Sequence, residues 1–187
     1  MTMPHRMPGR DRTTAAVSLE RRRASHAEAL FAVLAEPLLY AHIEEAPPAS
    51  VDALRERLRR SEGGKSPDGT EHWLNWVVRE GGPSGAVAGY VQATVRADGE
   101  AWIAYMLGRD FQGRGLASAA VAQMLAILAS DFDVTKVLLV AERANAKSVR
   151  LAERLGFVEA SPQLALRKRI AETDVLMQRA ASLSLVG

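Results

Sequence analysis

The sequence predicts a mixed α/β (α+β) fold, a mostly antiparallel sheet flanked by helices, and three observations carry that prediction. Residues 72–107 fall into runs of alternating apolar and polar side chains separated by Gly, Pro and Asp turns, the pattern of an antiparallel meander. A short apolar strand then enters the turn Gly108-Arg109-Asp110-Phe111-Gln112-Gly113-Arg114-Gly115, which opens a long alanine-rich helix. A further strand at residues 136–141 and a second short helix follow.

Composition bounds the answer. The chain has 187 residues, 48% of them hydrophobic, enough to bury a core within one domain. Residues 1–12 are rich in Pro, Arg and Met without periodicity and read as a flexible leader; residues 13–187 read as a single domain. Net charge is only +2 despite a pI near 9.2, because arginines and acids nearly cancel, so neither nucleic acid nor a membrane is expected as a partner. The absence of cysteine excludes disulfides, thiolate metal sites and a cysteine nucleophile. His5, His26, His42 and His72 show no paired ligand spacing, and no metal is expected. No apolar run reaches the ~18 residues of a membrane span, and the first residues lack the apolar core of a secretory signal. The expected location is cytoplasmic.

In chain order, a strand is expected at residues 15–20, followed by a solvated Arg21-Arg22-Arg23. Ser25 and Glu28 have capping-box spacing ahead of a helix carrying Leu30, Phe31, Val33 and Leu34, which Pro37 interrupts. Ser50 is placed to cap a second helix whose Leu54 and Leu58 face the core while Arg55, Arg57, Arg59 and Arg60 face out. Residues 62–70 form a Gly, Ser and Pro loop. In the meander, alternation puts Trp73, Asn75 and Val77 on one face and His72, Leu74 and Trp76 on the other; both are mixed, so the pattern leaves open which face meets the helices. Trp73 and Trp76 read either as core filling or, for Trp73 with Asn75, as a stacking wall for a ligand that Gln92 and Tyr90 could join. From Leu116 to Ala129 only Ser118 and Gln123 are polar, which predicts a helix buried on most sides. Asn145 opens the last helix through Ser148, Leu151 and Leu155, and Gly156 ends it. Residues 163–170 and 174–179 read as closing strands.

The Gly-rich turn has the physics of an anion cradle. Gly113 and Gly115 remove side chains where backbone N–H groups must approach a ligand, and the helix N-terminus adds its dipole. Arg109 and Arg114 can add charge. A turn of this kind also occurs with no ligand at all. Leu116-Ala117 replaces the Lys and Ser/Thr of a Walker loop, Ser118 stands where a dinucleotide fingerprint needs a third Gly or Ala, and no acidic-tipped strand follows about 20 residues on, so both nucleotide motifs fit poorly.

Two motifs, in this order and separation, carry a resemblance. Gln112-Gly113-Arg114-Gly115-Leu116-Ala117 matches a Gln/Arg-x-x-Gly-x-Gly/Ala pyrophosphate loop, and Asn145-Ala146-Lys147-Ser148 with Leu155-Gly156-Phe157 has the spacing of the helix that follows it. The chain resembles the GCN5-related N-acetyltransferase (GNAT) superfamily over about residues 17–158, and within it the ribosomal-protein N-terminal (RimJ/RimL-type) branch. The resemblance implies a sheet splayed in the middle and acetyl-CoA as cosubstrate. It places the pantetheine and acetyl carbonyl along the main chain of Tyr105, Met106 and Leu107, and the pyrophosphate on Gln112, Gly113, Arg114, Gly115, Leu116 and Ala117. Tyr40, His42, Glu44 and Glu45, between the first two helices, become candidates for the acceptor side, with Trp73, Asn75 and Gln92.

Acetyl transfer needs a neutral amine, donors at the developing oxyanion and a proton for the leaving thiolate. Many members of the superfamily supply that proton from a Tyr at the position held here by Ala152. The ribosomal branch implies Ser148 instead, and Asn145 as a cap that also reaches the coenzyme or a water. Glu100 and Glu45 are candidate bases. Near pH 7 roughly a tenth of an α-amine is neutral, against about one lysine amine in two thousand. No side chain suggests itself as a nucleophile, so direct attack in a ternary complex is expected, and the resemblance implies a protein N-terminal α-amine as the acceptor; the expected assembly is a monomer or homodimer. The alternatives are a small-molecule or antibiotic amine as acceptor, or an acyl-CoA-binding module without catalysis.

Overall fold

A computed structural model describes residues 16–181; the expected leader and the end of the apolar tail lie outside the described residues. The elements are β1 (Val17–Arg21), α1 (Ala27–Leu34), α2 (Val51–Ser61), β2 (Glu71–Glu80), β3 (Val87–Arg96), β4 (Glu100–Leu107), α3 (Leu116–Asp131), β5 (Lys136–Glu142), α4 (Ala146–Arg154), β6 (Val158–Glu159), α5 (Pro162–Arg167) and β7 (Asp174–Ala180), with short 3-10 turns between some of them. Seven strands form one sheet in the order β1-β2-β3-β4-β5-β7-β6. Every neighbouring pair is antiparallel except β4 and β5.

The alternation that left two faces undecided in β2 is resolved by what packs on each. Val78 joins Val91, Ala93, Ile103 and Val137 under α3, whose Leu116, Ala120, Val121, Met124 and Leu128 are buried, with Leu74 and Trp76 packed alongside. Val77 faces the other way and meets Leu30 and Leu34 of α1 and Leu54 and Leu58 of α2, with Tyr90 and Met106. Farther along this second face, Leu164 of α5 packs with Leu138, Leu176 and Trp102. The helices thus cover one face from the middle and the other only at its two ends.

Four sequence expectations change. Residues 163–170 are not a strand: Ser161 accepts a hydrogen bond from the Leu164 N–H at 3.3 Å and Pro162 occupies the first turn, so α5 starts there as a capped helix. α3 is buried on its sheet side only, and Ala122, Gln123, Ala126 and Ala129 are exposed. Alanine contributes so little apolar area that an alanine face tolerates solvent. The Ser25/Glu28 capping box does not form, because a 3-10 turn over Ala24–His26 precedes α1. His26 takes over: its Nδ1 accepts from the Arg23 N–H at 2.9 Å and its Nε2 meets Glu20 at 3.0 Å. β6 was not anticipated, being two residues long. The Ser50 cap holds, its Oγ accepting from the Ala53 N–H at 3.0 Å.

Candidate active site

The site begins where the sheet opens. β4 and β5 pair only from Glu100 with Lys136 to Trp102 with Leu138, so Tyr105, Met106 and Leu107 have a strand on one side and a gap on the other. On the other side of β4, β3 carries a bulge against β2: Val78 pairs with Gly89 and Arg79 with Val87, leaving Ala88 extra. Gly89 has φ 149°, and a Cβ there would lie 2.1 Å from the Met106 carbonyl oxygen. That oxygen therefore points toward β3, and the Gly108 N–H also donates to Ala88 O at 2.9 Å. Alternation along the strand turns the main-chain groups of Tyr105 and Leu107 into the gap. The main chain of Met106, expected to join them, is directed at β3 instead.

Beyond the strand, Gln112 Nε2 donates to Leu107 O at 3.2 Å and ties the turn to the strand end. Gly113 and Gly115 adopt φ 75° and 79°, the left-handed region, and Gly115 is the N-cap of α3. The first N–H of this helix to find a main-chain acceptor is Ala119, on Gly115 O at 3.0 Å. The N–H groups of residues 113–118 have no acceptor among the described residues, and nothing lies within 4 Å of a Cβ built on Gly113. These donors surround open space at a helix N-terminus, which suits a diphosphate. Arg114 contributes its amide only: its guanidinium pairs with Glu80 and lies 6.0 Å from the Phe111 ring. Arg109 borders the same opening.

The loop, the gap and the start of α4 line one cleft of about 1290 Å³, with Leu39, His42 and Ile43 forming its other edge. Asn145 caps α4, its Oδ1 accepting from the Ser148 N–H at 3.2 Å. That bond leaves the Ser148 side chain free of capping, and its Oγ lies 2.7 Å from the Tyr105 hydroxyl. The sequence pointed to Tyr105 for its backbone; the importance of its phenol was missed, because nothing in the spacing brings residues 105 and 148 together. Burial pushes this phenol up, partly offset by the Ser148 hydrogen bond and by Arg154. Ala152, where the usual acid would stand, is fully buried.

The acceptor candidates separate. His42 borders the cleft and its Nδ1 meets Glu142 Oε2 at 2.6 Å. Tyr40 does not: it is buried, and its hydroxyl donates to Leu34 O at 3.0 Å, a packing role. Trp73, Asn75 and Gln92 are also outside the cleft lining, on the α1/α2 face of the sheet. There Trp73 Nε1 donates to Glu71 at 3.1 Å and Asn75 Oδ1 accepts from Arg22 Nη2 at 2.5 Å. Of the candidate bases, Glu100 is flanked by Lys136 and Lys168, and Glu45 lies 3.8 Å from Arg57. Among the described residues no cluster of His, Cys, Asp and Glu could hold a metal ion, and no helix is long and apolar enough to cross a membrane.

Comparison with known proteins agrees with this geometry. The family described as an acetyltransferase (GNAT) domain matches residues 17–158. No curated protein matches the sequence. Among solved structures, the spermidine N-acetyltransferase of Vibrio cholerae, in complex with CoA and spermine, superposes with a TM-score of 0.71 at 18% identity, covering 88% of this chain and 95% of that one. RimL, a ribosomal L7/L12 α-N-protein acetyltransferase in complex with coenzyme A, gives 0.71 at 19% identity over 90% and 95%. A GNAT-family acetyltransferase from Bacillus anthracis gives 0.72 at 14% identity over 89% and 96%. These similarities show a shared fold, and the family match extends over most of the described sheet, from β1 to the start of β6. The chain belongs to the GNAT acetyltransferase family.

Proposed function

We propose that this acyltransferase moves the acetyl group of acetyl-CoA directly to a protein N-terminal α-amine. The observation that carries the reading is the run of free amides over residues 113–118, opening onto a cleft that continues along the unpaired edge of β4. The diphosphate accepts from those amides, and the pantetheine arm lies along the gap. The Tyr105 and Leu107 main-chain groups are the polar groups available to the thioester there, and an N–H so placed stabilises a developing oxyanion.

Proton handling falls to the pair on the cleft wall. Ser148 Oγ is the donor to the leaving thiolate, and Tyr105, 2.7 Å from it, replaces that proton and is itself reprotonated from water, which takes up the proton the amine releases. A phenol held above its ordinary value of 10 stays protonated through the neutral range, so its O–H is available to donate to Ser148 Oγ. Asn145 aligns Ser148 through its N–H and keeps its own amide nitrogen for coenzyme or water. An α-amine is already neutral in useful amount at neutral pH, so it needs only a water to take its second proton.

The test is coenzyme A titration by calorimetry. Wild-type protein should bind, and Gly115→Glu should abolish binding, because a side chain and a negative charge enter the cradle at a left-handed position. Undiminished affinity in that variant would remove the cradle assignment. ATP and NAD should bind far more weakly than coenzyme A.

A further inference from the structure

The α1/α2 face of the sheet carries a feature that the cleft does not use. Arg22 continues β1, its N–H donating to Asn75 O at 2.9 Å, and its side chain, expected to be solvated with those of Arg21 and Arg23, turns inward over β2 and β3 instead. Nη2 donates to Asn75 Oδ1 at 2.5 Å, and the guanidinium lies 5.2 Å from the centre of the Tyr90 ring. Nε is sealed from solvent with no acceptor. Nη1 also has no acceptor among the described residues, yet it is not sealed. No carboxylate pairs with this guanidinium within 4 Å among the described residues; besides the Tyr90 phenol, Arg57, a charge of the same sign, acts on it from nearby. Burial pushes Arg22 down to about 10, which leaves it cationic at pH 7.

A largely buried cation is ordinarily paired, because desolvating it alone is costly. Here an amide oxygen and an aromatic face replace the missing anion. The surroundings are open to a ligand: Asn75, Gln92 and Ala104 lie in register across β2, β3 and β4, are each half-buried, and sit between the α1/α2 cluster and the α5 cluster. Resting on the proposed function, and deepening it, we propose that Arg22 anchors a carboxylate of the acceptor, so that the preferred substrates are peptides with an acidic residue just behind the amino terminus.

Spacing fixes which carboxylate. Arg22 meets Asn75 on β2, two strands from β4, and at ~4.8 Å per strand the anchor is about 10 Å from the edge where the amine must arrive. The α-carboxylate of a free amino acid is much too close to its own amine to span this. An extended chain advances ~3.3 Å per residue, so the side chain of the second or third residue reaches. Glu45 does not occupy the anchor, being held near Arg57 at 3.8 Å. A polycationic acceptor would set like charges against Arg22 and Arg57.

The experiment measures binding, with turnover as a separate readout. A short peptide amide with free N-terminal Ser and Glu second, and its Gln counterpart, are titrated into the protein with and without coenzyme A. The Glu peptide should bind about tenfold or more tighter, as one charge-assisted contact provides. Arg22→Gln should bring the ratio of the two affinities to about one. Asn75→Asp, which places a carboxylate beside Nη2 without changing shape, should do the same while leaving coenzyme affinity unchanged. Equal binding of the two peptides by wild-type protein, no binding of either, or a ratio that survives both substitutions would overturn the anchor. Failure of coenzyme A to bind would instead overturn the proposed function, since the peptide ratio is read in its absence as well.

Discussion

At the scale of single residues, the proposed proton path rests on one contact between β4 and α4. Ser148→Ala should lower kcat by about 100-fold, the order expected for losing a general acid, with coenzyme affinity retained. Tyr105→Phe keeps the ring and removes only the hydroxyl, and should lower kcat by about tenfold. Because Tyr105 acts through Ser148, the double variant should resemble Ser148→Ala alone, and fully additive losses in single-turnover rates would separate the two hydroxyls. The placement of Asn145 and Ser148 at the start of α4 was legible in the sequence through their spacing to Leu155-Gly156-Phe157; the contact with the phenol was not, because it spans 43 residues of chain. Tyr40 shows the reverse case, in which an aromatic residue in a suggestive loop is consumed by packing against the end of the preceding helix, α1.

At the scale of elements, the close pairing of β3 with β4 depends on a glycine where the two backbones approach. Gly89→Ala would drive a methyl to 2.1 Å from a main-chain oxygen at φ 149°, and should destabilise by about 2–3 kcal/mol, read as a shift in denaturant midpoint. The β1–β2 edge is held differently. Glu20 accepts from Arg79 Nε at 2.6 Å and meets His26, and its carboxyl is held below the usual 4.5, chiefly by the Arg79 hydrogen bond and against burial, which raises it. A lowered carboxyl pKa contributes stability above its unfolded value that is lost as pH falls through the folded one. Glu20→Gln should therefore flatten the acid limb of the stability curve below about pH 4.5 and cost stability above it, measured by urea unfolding across pH. Elements with strong local signals, such as the Ser50-capped α2 and the meander, were readable in advance. α5 was misread because its short apolar run was weighed above the Ser161-Pro162 start that governs it.

At the scale of the molecule, α3 joins the two halves of the sheet. Leu128 is fully buried in the cluster that includes both Val91 and Val137. Leu128→Ala should cost about 2–5 kcal/mol in a single transition, with an unchanged denaturant slope. Two transitions would show that the halves unfold apart. The same helix presents its first free amides to the cleft, so core packing on one side of the sheet positions the anion cradle. On the opposite face the helices cover only the ends, and the half-buried strip between them is where the acceptor is proposed to lie.

The sequence by itself determined the strand-turn-helix unit, the helices capped by Ser50 and Asn145, and the family, since each is encoded in contiguous residues whose backbone preferences and spacing act locally. Which face of the meander meets which helix, the pairing of Tyr105 with Ser148, and the unneutralised charge of Arg22 were decided only by the tertiary structure. Those properties arise where strands distant in the chain are brought within a few ångströms, and where burial, rather than residue type, sets what a phenol or a guanidinium can do.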